Sequence, residues 1–166
     1  LLNEYEIGQA RHEIDQLFWK DFCDYYIEIV KERLYQPQKH GVAKRYSGQI
    51  ALYKSLFGIL KMYAVFTPYV TEYIYQEFYQ KYEKERSLHQ TIWMPQKPES
   101  IYLEFGDHLK EVIAKVRKEK TEKCLSIKDI IPELIITCPK KFRDFYQKSE
   151  GDIKACTSAN KIILRN

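Results

Sequence analysis

Glycine is scarce in this chain. There are six in 166 residues and none are clustered. That excludes a Gly-rich loop able to cradle a nucleotide phosphate. No G-x-S-x-G or H-E-x-x-H run is present either, so the usual serine-hydrolase and zinc-protease chemistries have no foothold. The four cysteines, Cys23, Cys124, Cys138 and Cys156, stand far apart with no C-x-x-C. Neither a zinc site nor a disulfide framework is expected, and reduced thiols suit a cytoplasmic protein. His12, His40, His89 and His108 form no H-x-x-x-H pair, so no metal site is expected. No apolar run reaches the roughly 20 residues that a membrane span needs. No signal peptide is visible. The chain lacks an initial Met and opens inside a helical pattern, so it reads as a piece of a longer protein. Repeats and low-complexity segments are absent.

What is present is a helical texture. The chain is 45% hydrophobic and 30% charged, enough for one sizeable core or one core with a small annex. A net charge of +4 permits nucleic-acid binding without demanding it. Fourteen tyrosines can fill a core and can also stack on bases. Apolar residues at Ile7, Ala10, Ile14, Leu17/Phe18, Phe22, Tyr25/Tyr26, Ile29/Val30 and Leu34 follow a three-four alternation, which predicts a first helix from about Glu6 to Tyr35. Gln36-Pro37 ends it. A loop is expected over 37–46, then a second helix over 48–66 capped by Ser47. Thr67-Pro68 restarts the chain as a third helix running to about Lys84. After a polar stretch, a fourth helix fits Asp107 to Lys123, with Lys110, Lys115, Arg117, Lys118 and Lys120 facing outward. A strand at 134–137, a helix at 140–147 and a strand at 161–164 suggest a small α/β annex. The expected fold is therefore mainly α, an antiparallel helical bundle over 1–123 with a small C-terminal α/β subdomain over 124–166.

The first helix also carries charge that an amphipathic helix does not require. Asp21, Asp24, Glu28 and Lys31 follow at spacings of three and four. Like charges so placed disfavour a helix by roughly 0.2–0.5 kcal/mol per pair, which suggests cationic partners or a polar task. A solvated acidic face is the plainer alternative.

This helix resembles the first helix of the anticodon-binding domain of class I aminoacyl-tRNA synthetases, the valyl branch most of all. The residues that carry the likeness are Ala10, then Phe18, Trp19, Asp21, Phe22, Cys23, Asp24, Tyr26, Ile27, Glu28, Lys31, Arg33, Leu34 and Tyr35. Isoleucyl enzymes usually have a Ser-Asn pair where Cys23 and Asp24 stand. The run from Thr67-Pro68 through Thr71 and Glu72 to Tyr75 resembles the start of the family's third helix, and Ser87-Leu88-His89 with Trp93 resembles the patch that follows. Two departures occur. Val65 replaces a family Pro, so the second helix should run further before breaking, and Met94 intrudes between Trp93 and Pro95. The likeness is good over about residues 5–95 and fades beyond.

The resemblance implies that a full-length enzyme joins valine to its tRNA using ATP with magnesium, while this piece, holding no H-I-G-H-like or K-M-S-K-S-like run and hence no catalytic residue, reads the tRNA. The implied partners are valine tRNA, through its anticodon stem-loop, and the rest of the synthetase chain, with no membrane and a monomeric state. Valine anticodons end in A-C, so two bases suffice for reading. Cations must meet phosphates, and an aromatic or Arg must stack a base. The candidates are Lys31, Arg33, Tyr35, Lys39, His40, Lys44 and Arg45, at the end of the first helix and in the loop beyond. For each cation the alternative is a solvated charge. Lys110 to Lys120 and Lys140, Lys141 and Arg143 form secondary basic strips. Trp19, Asp21, Asp24, Tyr26, Glu28, Pro68, Thr71 and Glu72 are expected to serve the architecture, Asp24 and Glu28 by holding Arg or Lys. Trp19 and Trp93 are read as packing residues and Cys23 as a small buried one. Two other readings stay open: the same domain of an isoleucyl-type enzyme, or a helical protein-interaction module with no RNA role.

Overall fold

The structure, a computed structural model, describes residues 1–93 and 99–165. It is mainly helical with one small two-stranded sheet near its C-terminal end, the expected fold class. The expectation about Met94 falls outside the described residues. The chain divides into two compact units, residues 1–27 with 46–96 and residues 28–45 with 97–166. The 123/124 boundary expected from the sequence is not where this division runs, because the helix Ser100–Glu122 is grouped with the strands.

In the first unit, α1 (Ile7–Asp15) leads into a wide π-type segment, Gln16–Ile27. The three-four pattern predicted ordinary α-helix throughout. A helix closed by i→i+5 bonds turns more slowly, so residues four apart fall almost beneath one another. Phe18, Phe22 and Tyr26 use this to build a ring stack, with centroids 6.3 and 6.1 Å apart. Tyr63 meets Phe18 edge-on, and its hydroxyl donates to Asp15 Oδ1 at 2.6 Å. Burial and this carboxylate push the Tyr63 hydroxyl up to about 12.

The helix after the 37–46 segment differs from expectation. Pro37–His40 forms a short helix (α3, after α2 at Glu28–Tyr35), and α4 then spans Val42–Tyr63. Gly41 makes this possible by turning the chain within one residue at φ 87°, a conformation that suits glycine. Ser47 consequently lies inside α4 and caps nothing. The helix also ends at Tyr63 rather than running on through Val65. The N–H groups of Phe66 and Thr67 both close onto the Tyr63 carbonyl, and Pro68 keeps Thr67 out of helical geometry.

Pro68 sits in the first turn of α5 (Pro68–Phe78), as expected, although the Thr67 side chain makes no capping bond. Thr71 is buried and donates back to the Thr67 and Pro68 carbonyls. α5 stops well before Lys84 because the chain must turn back to bury Leu88 beside Leu60, Tyr75 and Tyr79. Three hydrogen bonds fasten that return. Tyr75 donates to the Glu85 carbonyl at 2.7 Å, and Glu72 Oε2 accepts from Ser87 Oγ and Leu88 N–H, both at 2.9 Å. Burial alone would raise the Glu72 carboxyl, but hydrogen bonds from Gln76, Ser87 and Leu88 with the nearby His89 outweigh it and hold it below its ordinary 4.5. Glu72→Gln should therefore flatten the acid side of the stability profile. The ionised carboxylate contributes above pH 4.5 and loses that contribution as pH falls through its lower folded value. Urea midpoints followed from about pH 6 to about pH 3 should fall more steeply for the wild type than for the variant.

The second unit contains α2, α3, α6 (Ser100–Glu122), β1 (Ile131–Thr137), a 3₁₀ turn Lys140–Phe142, α7 (Arg143–Lys148), α8 (Glu150–Thr157) and β2 (Ala159–Arg165). α6 starts earlier than Asp107, and α8 was not expected at all. β1 and β2 pair in parallel, with Ile131 beside Ala159 and Thr137 beside Arg165. A parallel pair needs a crossover, which α7 and α8 supply. Phe105 packs among Phe142, Phe145 and Tyr146 beneath them.

Lys120 corrects the sequence reading. It was expected on the outer face of α6, yet it is 3% exposed. Its ammonium donates to the carbonyls of Ile127, Asp129 and Thr157 at 2.6, 2.7 and 3.0 Å, tying the loop after α6 to the end of α8. Three inward-pointing carbonyls require a cation with three donors, and helix periodicity cannot report them. Lys120→Met would strand these acceptors. Since an unsatisfied buried polar group costs about 1–3 kcal/mol, chemical denaturation should show a loss of at least about 2 kcal/mol.

Candidate nucleic-acid interface

All seven candidate RNA-contact residues fall in the second unit, over α2, α3 and the first turns of α4. The structure sorts them by direction. Arg33 points inward. Its Nε donates to Asp152 Oδ1 at 2.9 Å, and its terminal amine bonds Asp152 Oδ2. Asp152 is 4% exposed, so this is a two-pronged, charge-assisted contact between α2 and α8. His40 also faces inward, its Nε2 2.8 Å from Glu32 Oε2. Gly151 packs beneath its ring, where an added Cβ would stand 3.1 Å from His40 Cε1. The hydrogen bond from His40, assisted by Lys39 and opposed by burial, holds the Glu32 carboxyl below its ordinary value.

The other five face solvent. Tyr35 ends α2 with 79% of its surface exposed. Lys31 pairs with Glu28, and Lys39 with Glu32 Oε1 at 3.0 Å, while both remain on the surface. Lys44 and Arg45 are exposed on α4 and make no ion pair among the described residues. The result is an outward set of four cations and one open aromatic ring, anchored by an inward pair.

The architectural residues are mixed. Glu28 holds Lys31 as expected. Asp21 and Asp24 each have a partner. Tyr26 stacks on Phe22. Trp19 departs from its packing role: it is 60% exposed, with its ring set edge-on to Phe18, because it flanks the buried stripe instead of lying on it. Trp93 is also exposed. Cys23 is half-buried, and burial with the nearby Asp24 raises its thiol. In the secondary strips, Lys110 pairs with Asp107, Lys141 with Glu104 and Lys118 with Glu122, while Lys140 stays exposed. Among the described residues, no group of three His, Cys, Asp or Glu side chains could hold a metal ion, and no helix is long and apolar enough to cross a membrane.

The family described as the anticodon-binding domain of tRNA ligase matches residues 1–135. The chain belongs to that family. Over 165 residues it is 33% identical to the valine--tRNA ligase of Wolbachia pipientis wMel, covering 97% of this chain and 18% of that one. The corresponding enzyme of Ehrlichia canis is 35% identical over 99% of this chain and 20% of its own, and that of Rickettsia felis 32% over 97% and 18%. The chain thus spans about a fifth of the length of the curated relatives it matches.

Sequence reasoning missed Glu32, Gly151 and Asp152, which hold together the helices that carry the candidate residues. A signal for α8 existed, since Ser149 followed by Glu150 and Asp152 is a helix-start pattern. Nothing in the sequence tied Asp152 to Arg33 across 119 residues. Arg33→Met should destabilise the protein by about 3–5 kcal/mol, because the buried Asp152 charge is left alone. Arg33→Met with Asp152→Leu should recover most of that. Equal losses in the single and double variants, measured by urea denaturation, would disprove the coupling.

Proposed function

We propose that this chain recognises the anticodon stem-loop of valine tRNA within a longer valine--tRNA ligase. The observation that carries the reading is the outward set Lys31, Tyr35, Lys39, Lys44 and Arg45 on a domain of the anticodon-binding family. Cations spread over neighbouring helical turns suit a phosphate backbone that curves, and an open tyrosine suits an unstacked base. Arg33 and His40 act here as positioning residues. They fix the ends of α2 and α3, from which the outward side chains project. ATP and magnesium chemistry belongs in this reading to the remainder of the enzyme, a cytoplasmic monomer. The Cys23-Asp24 pair and the valine--tRNA ligase relatives favour valine over isoleucine.

The test uses the full-length enzyme with a valine tRNA transcript and a second transcript carrying replaced A-C anticodon bases. Selective loss of binding on replacement is expected, and equal binding to both would refute anticodon reading. Lys44→Ala with Arg45→Ala should weaken binding to all tRNA sequences alike and lower the slope of log affinity against log salt by about 2. Tyr35→Ala should lose about 1–3 kcal/mol of binding if it stacks a base. An isoleucine transcript, with an A-U ending, bound as tightly as the valine one would move the assignment to the isoleucyl branch.

A further inference from the structure

A recess of about 330 Å³ lies in the second unit, lined by His108, Thr137, Cys138, Pro139 and Lys140. That is the lower end of the roughly 300–1,000 Å³ span of small-molecule pockets, so it suits one planar group better than an extended ligand. Thr137 ends β1, which runs parallel to β2, so the recess sits outside the carboxyl end of the strand. Open parallel sheets bind their ligands on that side.

The walls are fixed before any ligand arrives. His108 Nδ1 lies 2.7 Å from the hydroxyl of the buried Tyr146, and the His108 ring centroid is 5.4 Å from that of the buried Phe142. Cys138 is buried too, and its N–H donates to the Arg165 carbonyl at 2.7 Å, which pins the strand end. Imidazole is among the rings on which unpaired bases stack, and Pro139 adds apolar surface.

Charge gives the recess a partner. Lys140 lines it, is exposed, and makes no ion pair among the described residues. Arg165, beside Thr137 in register, is likewise exposed and makes no ion pair among them. Lys141, by contrast, is committed to Glu104 and lies over the Phe142 ring. A cation with no acid beside it gives up no ion pair when it meets a phosphate, and such contacts position a nucleic acid while a base is held elsewhere.

We propose that this recess holds one unpaired nucleotide of the bound tRNA, its base against His108 and Pro139 and its phosphate met by Lys140 and Arg165. This rests on the proposed function and adds to it a contact point made by α6 and the connection from β1 to α7. A free mononucleotide shares this chemistry, and membership of an anticodon-binding family favours the RNA source.

Ultraviolet cross-linking of the full-length enzyme to a valine tRNA transcript, with adducts mapped by mass spectrometry, tests this. An adduct on His108 or within residues 137–140 is expected. Adducts confined to other peptides would overturn the proposal. So would cross-linking of free nucleoside monophosphates to the recess with none from tRNA, since the ligand would then be a free nucleotide. Lys140→Ala with Arg165→Ala should cut the adduct yield and lower the slope of log affinity against log salt by about 1.4, two contacts at about 0.7 each for a single strand. An unchanged slope would also overturn it. Binding to the transcript with replaced anticodon bases is scored separately. Equal binding there refutes anticodon reading while the adduct still decides the recess, and selective binding with no adduct here refutes the recess alone.

Discussion

The contact between Arg33 and Asp152 organises the part of this domain that carries the candidate cations. It joins α2, near the start of the chain, to α8, near its end. A buried carboxylate is strongly unfavourable without a cation, and a guanidinium meets it with two parallel hydrogen bonds in fixed geometry. Around this pair, His40 lies against Gly151 and reaches Glu32, so α3 is set by the same helix that Arg33 secures. The direction in which Tyr35, Lys39, Lys44 and Arg45 leave the surface follows from that frame. Specific binding depends on such preorganisation, since cations already held in place lose less freedom when they meet a phosphate.

Lys120 and Glu72 apply the same logic to loops. Each places one charged group where backbone or hydroxyl groups converge, and each fastens a segment that lies outside the long helices. Lys120 gathers three carbonyls, while Glu72 accepts from a hydroxyl and a backbone N–H. This gives a physical reason for two residue choices in the stretch that resembles other synthetases. Glu72 and Ser87 lie fifteen positions apart in sequence but act as one clasp.

Much of the helical architecture was legible in the sequence. The stripe from Ala10 to Leu34, the Thr67-Pro68 restart and the inner positions of α6 follow from periodicity and from proline's missing N–H, which are local properties. Boundaries were less legible. α4 began early because a single glycine could make the turn at 41, and α5 ended early because Leu88 had to reach a core formed by residues far from it. The candidate cations were legible as a group, but their directions were not. Arg33 and Lys44 look alike in sequence. One is drawn inward by an aspartate 119 positions away, and the other is exposed and makes no ion pair among the described residues.

The sequence by itself determined the helical class, the annex strands and the resemblance to an anticodon-binding domain, because these rest on spacing, turn chemistry and residue identity along the chain. The tertiary structure alone decided that Lys120 is buried, that Arg33 and His40 brace the surface, and that β1 and β2 run parallel. Each of these depends on what long-range folding brings next to a side chain or strand. Charge burial and strand pairing are properties of neighbours in space, and no local pattern encodes them.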